Sequence, residues 1–287
     1  MEKRKGMTLL EVVVIIVVIT FVVWGVITFS SRFSQPRLPD SLVCRTNLKG
    51  MSNALVVYGF DYNDEYPVQK AVTHDWDSTT TGWDNPKKDW ENSDGTLTVA
   101  SSLYLLVREA DVSPKSFICP ASDQSEFVNE TGHDIVELWD FGPNPTKHQS
   151  YAYQFPYGKF PAHGKNTPAT NAIMADRNPW FDKTLTASSI EKENSQTFAD
   201  KVALIDFEAE NKWKQQVGNA APHDREGQNV LFSDGHVEFV KRPDVGTRYD
   251  NIYTIGGDSE EQRRVGKAPA GWDIDSANAE DSLLVND

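Results

Sequence analysis

The stretch that decides the fold is Arg4-Lys5-Gly6-Met7-Thr8-Leu9-Leu10-Glu11, followed by VVVIIVVITFVVWGVITF at residues 12–29. This run has eighteen residues and no charged side chain. As a helix rising about 1.5 Å per residue it measures about 27 Å, close to the hydrocarbon thickness of a bilayer. Its β-branched residues favour a strand in water, but a lone strand in lipid leaves its backbone groups unpaired. The run therefore predicts a membrane-spanning helix.

Glu11 stands at the start of this apolar run, where a carboxylate is costly. Near the centre of a membrane helix such a group costs about 2.5–3.5 kcal/mol, and less near the helix end. One interpretation is a glutamate whose side chain reaches the lipid headgroups. The flanking residues favour a different interpretation of Glu11. Lys3, Arg4 and Lys5 precede Gly6, and Glu11 is the fifth residue after that glycine. Basic residues before the span also predict a cytoplasmic N-terminus.

This arrangement resembles the leader of type IV pilins and of the pseudopilins of type II secretion. In that family a membrane aspartyl peptidase cuts after the glycine and methylates the new N-terminus, which implies cleavage here between Gly6 and Met7. The resemblance also implies that Glu11 neutralises the terminal amine of a neighbouring subunit. The first mature residue is usually Phe in the family, and here it is Met7. The alternatives are a secretory signal peptide, which needs a shorter apolar core and a small-residue cleavage site, and a simple anchor.

The length and net charge of the chain restrict the number of domains and the classes of partner. The chain has 287 residues and a formal net charge of −14. An acidic exterior of this kind argues against nucleic acid and anionic membrane surfaces as partners. Roughly 250 of the residues lie beyond the apolar run, enough for one large domain or a domain with long insertions.

The two cysteines, Cys44 and Cys119, both follow the apolar run and so lie on the outer side of the predicted span. Disulfides form in such oxidising compartments. A bond between them would close a loop of 74 residues, worth about 4 kcal/mol in the chain-entropy model. The alternative is a pair of buried thiols that stay unbonded.

Hydrophobic periodicity predicts the main elements beyond the run. Pro36 and Pro39 interrupt the first helix. An apolar stripe at three- and four-residue spacing then predicts a helix over residues 42–62, which we interpret as the soluble half of a long spine helix that packs on a sheet. The stripe consists of Leu48, Met51, Leu55, Tyr58 and Tyr62. A second helix is predicted over residues 97–110, and strands are predicted at 150–155 and 172–176.

The clearest local structure is QNVLFSDGHVEFV at residues 228–240. Asp234-Gly235 between two alternating runs predicts a β-hairpin with a two-residue turn. That register pairs Phe232 with Val237 and gives the hairpin one buried apolar face. The predicted face consists of Val230, Phe232, Val237 and Phe239. The acidic segment at residues 256–287 is predicted to be a loosely ordered tail.

Short motifs along most of residues 1–245 resemble a large pseudopilin-like family, abundant in planctomycetes and their relatives, that carries a C-terminal histidine to Asp-Gly motif. The motifs are CRTNLK at 44–49, FICP at 117–120, SYAYQ at 150–154, ADRNP at 175–179 and the span from His223 to His236. The resemblance implies an α+β, pilin-like fold, in which a long N-terminal spine helix packs on a small antiparallel sheet with long loop insertions. The implied divisions are a leader at 1–6, a transmembrane and spine helix at 7–35, a head at 36–255 and an acidic tail at 256–287.

Two groups of side chains are weighed as metal ligands. His223, Asp234 and His236 have suitable chemistry, but the hairpin turn already accounts for Asp234, Gly235 and His236, so we predict no metal there. Acidic loops are a second candidate, for calcium, although their spacing matches no EF-hand loop. These loops contain Asp250, Asp258, Asp273 and Asp275. We therefore predict that assembly needs no cofactor, with calcium as the alternative.

The motifs of serine hydrolases, zinc proteases and phosphate-binding loops do not occur, and we predict that the chain is not an enzyme. The resemblance implies a structural subunit of a type II secretion or type IV pilus-like filament. Its partners would be prepilin peptidase, other pilin-like subunits and the inner-membrane assembly platform. The precursor would cross the inner membrane once with a periplasmic head, and would lie outside the cell or at its surface once assembled.

Two alternatives belong to other classes. One is a membrane-tethered extracytoplasmic binding protein that never polymerises, with a glycan surface lined by Trp76, Trp83 and Trp90. The other is a tethered metal hydrolase. The role of Glu11 distinguishes filament assembly from the binding protein, and bound metal tests the hydrolase.

Overall fold

The structure is a computed structural model. It describes residues 9, 12, 14–21, 39–71, 75–76, 80–92, 96–161, 167–181, 202–269 and 275–287. The chain divides into two compact units, Met1–Leu38 and Pro39–Asp287. In the first unit residues 14–21 are helical and form α1. Within the described ranges, every helix is too short or too polar to cross a membrane.

The predicted long N-terminal spine helix is wrong. Among the described residues α1 covers only residues 14–21, and the next helix, α2, covers the 22 residues Asp40–Asp61. Pro39 precedes α2 with φ −52° and ψ 135°, an extended conformation outside the helical region. The proline also has no N–H to continue a helical hydrogen-bond ladder. α2 therefore begins afresh at Asp40, and the interpretation of residues 42–62 as half of a longer helix fails, although the helix itself is present.

The second unit is an α+β domain built on one antiparallel sheet. The sheet has five strands in the order β6-β5-β4-β3-β7. The strands are β3 Tyr151–Gln154, β4 Ala172–Asp176, β5 Gln228–Phe232, β6 Val237–Val240 and β7 Leu284–Val285. A separate parallel pair is formed by β1 Asp75–Trp76 and β2 Thr96–Leu97. The other α-helices of the described residues are α3 Val99–Ala110, α4 Lys212–Gln216 and α5 Glu260–Val265.

Four of the five residues of the predicted stripe are buried, whereas Tyr62, which follows the end of α2, is 40% exposed. Leu48 and Met51 are fully buried, and Leu55 and Tyr58 are nearly so. They join one cluster with α3 and with one face of the sheet. Burying each such side chain contributes about 1.5–3 kcal/mol. The opposite face of the sheet belongs to a second cluster, which includes Val230, Phe232 and Tyr253.

The hairpin loop is one residue longer than predicted. Phe232 N donates to the carbonyl oxygen of His236 at 3.0 Å, and Gly235 N donates to that of Phe232 at 2.9 Å. The loop therefore has three residues, 233–235. Gly235 has φ +84°, the left-handed conformation that closes three-residue hairpin loops and that glycine adopts without strain.

This longer loop shifts the register of β5 and β6 by one residue. Leu231 pairs with Val237, and Val230 pairs with Glu238. A one-residue shift moves side chains to the other face of a sheet. Leu231 and Val237 consequently pack in the cluster that contains α2, whereas Val230 and Phe232 pack on the far side. The predicted common face of Val230, Phe232, Val237 and Phe239 is wrong.

The predicted loose tail is also wrong. Residues Leu284–Val285 pair with β3 as the edge strand of the sheet, and Leu283 is fully buried beside them. The carboxylate of Asp287 accepts hydrogen bonds from the first backbone N–H groups of α3, at Val99 (2.7 Å) and Ala100 (2.8 Å). Three consecutive apolar residues within an acidic segment are enough to complete the sheet.

Candidate functional site

The cysteines form the predicted disulfide. Cys44 lies near the start of α2, and Cys119 follows the short 3-10 helix Pro114–Phe117. Their Cα atoms are 5.2 Å apart, and both side chains are buried. The bond therefore ties the beginning of α2 to the segment that follows α3.

Asp176, the last residue of β4, places a buried carboxylate beside this bond. Its Oδ2 accepts hydrogen bonds from Asn229, at 2.7 Å from the backbone N and 3.1 Å from Nδ2. Its Oδ1 is buried and accepts no hydrogen bond from the described residues. Burial raises the pKa of the hydroxyls of Tyr151 and Tyr253, and the nearby Asp176 charge raises each pKa further. A carboxylate this deep requires compensation by donors or by a cation.

His223 lies between the carboxylate and the disulfide. Its Nε2 is 3.4 Å from Asp176 Oδ2 and 3.6 Å from Cys119 Sγ. The imidazole is only 8% exposed, and its ring meets that of Phe239 edge-on. One ring nitrogen thus faces both a carboxylate and a sulfur.

The backbone that carries His223 is strained. His223, Asp224 and Arg225 have φ values of 65°, 56° and 57°. The left-handed region costs non-glycine residues about 1–2 kcal/mol each. Arg225 Nη1 donates to the carbonyls of Val217 and Asn219, and Asn219 Nδ2 donates back to the carbonyl of Arg225, all at 2.9 Å. These hydrogen bonds hold the segment in its left-handed conformation.

An open groove reaches His223 from the surface. Its walls carry three carboxylates and the first residues of α2. The lining residues are Asp40, Ser41, Ala121, Ala221, His223, Asp224, Glu226 and Phe239. Small cations approaching the imidazole therefore pass an acidic entrance.

The predicted turn residues Asp234 and Gly235 lie in the hairpin loop, and His236 follows that loop directly. Asp234 Oδ1 accepts a hydrogen bond from His236 N at 3.0 Å and also contacts His236 Nδ1. The backbone N–H of His236 is the main cause that lowers the pKa of Asp234. The carbonyl of Gly235 accepts hydrogen bonds from Lys49 Nζ at 2.7 Å and Ser52 Oγ at 3.3 Å, which dock the loop on α2.

The structure separates His223 from the other two predicted metal candidates. Throughout the described residues, one group of potential ligands has all its ligand atoms within 4.8 Å of one another. It consists of Cys44, Cys119, Asp176 and His223. Asp234 and His236, which were weighed from the sequence together with His223 and not predicted as a metal site, are not part of it.

The acidic residues considered for calcium have different surroundings. Asp250 is buried beside Asp281; burial first, and the Asp281 charge second, raise the pKa of Asp250. Asp275 is bound instead to the backbone N of Lys159, at 2.8 Å. Asp258 is exposed, and Asp273 lies outside the described residues.

The tryptophans considered for a glycan surface pack inward where their side chains are described. Trp83 meets Phe127 edge-to-face, and Trp90 is buried against Trp139. The processing and assembly residues Gly6, Met7 and Glu11 lie outside the described residues.

Sequence reasoning missed Asp176 as a site residue. A carboxylate that ends the apolar strand AIMAD at 172–176 was the available signal, since charged residues are rarely buried without a partner. The chain matches no protein-family model, no curated protein and no solved structure.

Proposed function

We propose that this chain is a pilin-like structural subunit of a type II secretion or type IV pilus-like filament, processed by prepilin peptidase after Gly6. The observation that carries the proposal is Glu11. It is the fifth residue after a glycine preceded by three basic residues, and it stands directly before the uncharged run at residues 12–29. A carboxylate in this position has an evident use as the partner of an amine freed at Met7. No catalytic role is assigned to the chain.

The head supports the proposal through the outer side of α2. Val56 is 59% exposed and Phe60 is 80% exposed, next to the half-exposed Val57. Neighbouring exposed apolar side chains on one helix mark interaction surfaces. We assign this surface to contact with another pilin-like subunit, because the opposite side of α2 is already occupied by the sheet.

We place the precursor in the inner membrane, on the strength of the uncharged run at residues 12–29 and the basic residues before it. The N-terminus would face the cytoplasm and the head the periplasm, where disulfides form. Transfer to a filament would involve the inner-membrane assembly platform.

The test is Glu11→Val in the native cell. The substitution removes a charge from the apolar run, so membrane association should not weaken. Assembly should be lost, because an unpaired buried amine costs several kcal/mol in each subunit. The measurement is the filament recovered by shearing, relative to the membrane-bound pool.

Two controls sharpen this test. Glu11→Asp keeps the charge with a shorter reach and should retain part of the assembly. Glu130→Gln removes a carboxylate from the head and should leave the yield unchanged. Normal filament yield from Glu11→Val, or a mature chain that keeps Met1 in cells with active prepilin peptidase, would contradict the proposal.

A further inference from the structure

We propose that reduction of the Cys44–Cys119 disulfide converts its surroundings into a zinc site. The ligands are the two cysteine thiolates, His223 Nε2 and the Asp176 carboxylate. This site is independent of filament assembly and of the leader sequence, since all four ligands belong to the head.

The spacing of the ligand atoms fits a tetrahedral zinc ion. With Zn–S about 2.3 Å and Zn–N or Zn–O about 2.0–2.1 Å, a tetrahedral site has sulfur–nitrogen edges of about 3.6 Å and nitrogen–oxygen edges of about 3.4 Å. The distance from Cys119 Sγ to His223 Nε2 is 3.6 Å, and that from His223 Nε2 to Asp176 Oδ2 is 3.4 Å. Once the sulfurs separate, these two edges already have the length that zinc requires.

The burial and the hydrogen bonds of Asp176 also fit the role of a zinc ligand. Asp176 Oδ1 is fully buried and unpaired within the described residues, so the carboxylate keeps one oxygen without a donor beside Oδ2, the oxygen whose 3.4 Å distance to His223 Nε2 fits the zinc edge. Asn229 holds the other oxygen through two N–H groups. Metal-binding carboxylates are oriented by donors of this kind. A purely structural disulfide needs neither the buried carboxylate nor the strained backbone that presents His223.

The electrostatics favour a divalent cation. Two thiolates and one carboxylate carry a charge of −3, and Zn²⁺ reduces it to −1. The groove beside His223 is lined by Asp40, Asp224 and Glu226, which attract cations toward the imidazole. Thiolate and imidazole ligands together select zinc over magnesium or calcium.

The redox step balances with a dithiol as the reductant. Two electrons and two protons pass from the dithiol to the disulfide, so that the Cys44–Cys119 bond breaks and the dithiol closes to its own disulfide. Zinc binding then releases the two thiol protons to solvent. Four separate elements stay joined in either state: α2, the segment after Phe117, the end of β4 and the loop before β5.

The test uses the purified full-length chain in detergent, with Co²⁺ as a spectroscopic substitute for Zn²⁺. The chain is reduced anaerobically with a phosphine, and thiols are counted after denaturation to confirm two per chain. We expect the reduced chain to bind one Co²⁺ with cobalt–thiolate charge-transfer bands and intense tetrahedral d–d bands, and one equivalent of Zn²⁺ to abolish them. The oxidised chain should show no thiolate bands.

Matched variants assign the ligands. Asp176→Asn and His223→Asn should each weaken binding at least tenfold, since even residues that only orient ligands contribute 10–100-fold. Asparagine tolerates the left-handed backbone of position 223. Asp234→Asn and His236→Asn make the same chemical changes in the exposed loop and should bind as the unmodified chain does.

Circular dichroism distinguishes loss of ligands from loss of fold. If the reduced chain unfolds without metal, one equivalent of Zn²⁺ should restore its near-ultraviolet spectrum. The proposal is overturned if the reduced chain binds no metal or is not restored by it. It is equally overturned if Asp176→Asn and His223→Asn retain unmodified affinity, or if the two loop variants lose it.

Discussion

Two histidine–aspartate pairs among the described residues have the same composition but differ in sequence separation and in burial. His236 and Asp234 are two residues apart in a loop, with side chains 49% and 45% exposed. His223 and Asp176 are 47 residues apart in sequence, with side chains 8% and 0% exposed. The first pair follows from the chemistry of a turn, because Asp234 accepts the backbone N–H two residues later.

The second pair exists only because the fold maintains it. β4 delivers Asp176 at its end, and three residues in left-handed conformations present His223. The comparison teaches that a pair close in sequence, such as Asp234 and His236, stabilises its own turn at little cost in free energy. A distant buried pair requires support from several elements, and such support indicates a role beyond that of the pair itself.

The largest expected effect comes from removing the covalent bond beside the buried pair. Cys44→Ser/Cys119→Ser should lower the free energy of unfolding by about 4 kcal/mol, because the cysteines are 75 residues apart in sequence and their bond restricts the unfolded chain. Urea denaturation of the oxidised parent and of the variant gives the difference. A loss below about 1 kcal/mol would mean that the bond does not constrain the unfolded chain as this model requires.

A matched pair of substitutions compares the two aspartates directly. Asp176→Ala should cost about 3 kcal/mol, because it leaves the two N–H groups of Asn229 buried without an acceptor. Asp234→Ala should cost less than about 1 kcal/mol, because its groups can bond to water instead. Equal losses in urea denaturation of the oxidised proteins would remove the distinction between the pairs.

The smallest effect concerns the titration of Asp234. Its pKa is lowered chiefly by the His236 backbone N–H, so His236→Ala should retain most of the lowering. A folded pKa below the unfolded value of about 3.9 means that the stabilisation is present above that pH and is lost as the pH falls through the folded pKa. Carboxyl chemical shifts measured against pH give the midpoint. A return to the ordinary midpoint in His236→Ala would assign the effect to the imidazole.

Local periodicity explains what the sequence predicts well. The stripe that includes Leu48 and Met51 predicts α2 and its buried side, alternation predicts β3, and a short apolar run predicts β4. The register of the hairpin was missed because SDG fits a two-residue and a three-residue loop equally well. Only the contact of Leu231 and Val237 with the α2 side of the sheet decides between them.

The buried site was predicted only in part, for a physical reason. The Cys44–Cys119 bond was predicted from the presence of two cysteines together with the expectation of an oxidising compartment. The meeting of Asp176 with His223 depends on strand order across the sheet and on left-handed backbone at non-glycine residues, and neither has a local sequence signature. The predicted spine helix was too long. Apolar periodicity occurs on both sides of Pro39, and periodicity does not show whether a proline kinks a helix or ends it.

The most direct test of the buried pair as a metal site is X-ray absorption at the zinc edge of the reduced, zinc-loaded chain. We expect two sulfur ligands at about 2.3 Å and two nitrogen or oxygen ligands at about 2.0–2.1 Å from each zinc ion. Two thiolate sulfurs on one zinc ion require both Cys44 and Cys119, since the sequence has two cysteines, and two lighter ligands agree with His223 and Asp176. A zinc shell of nitrogen and oxygen atoms without sulfur would contradict the account, because the metal would then bind away from the cysteines.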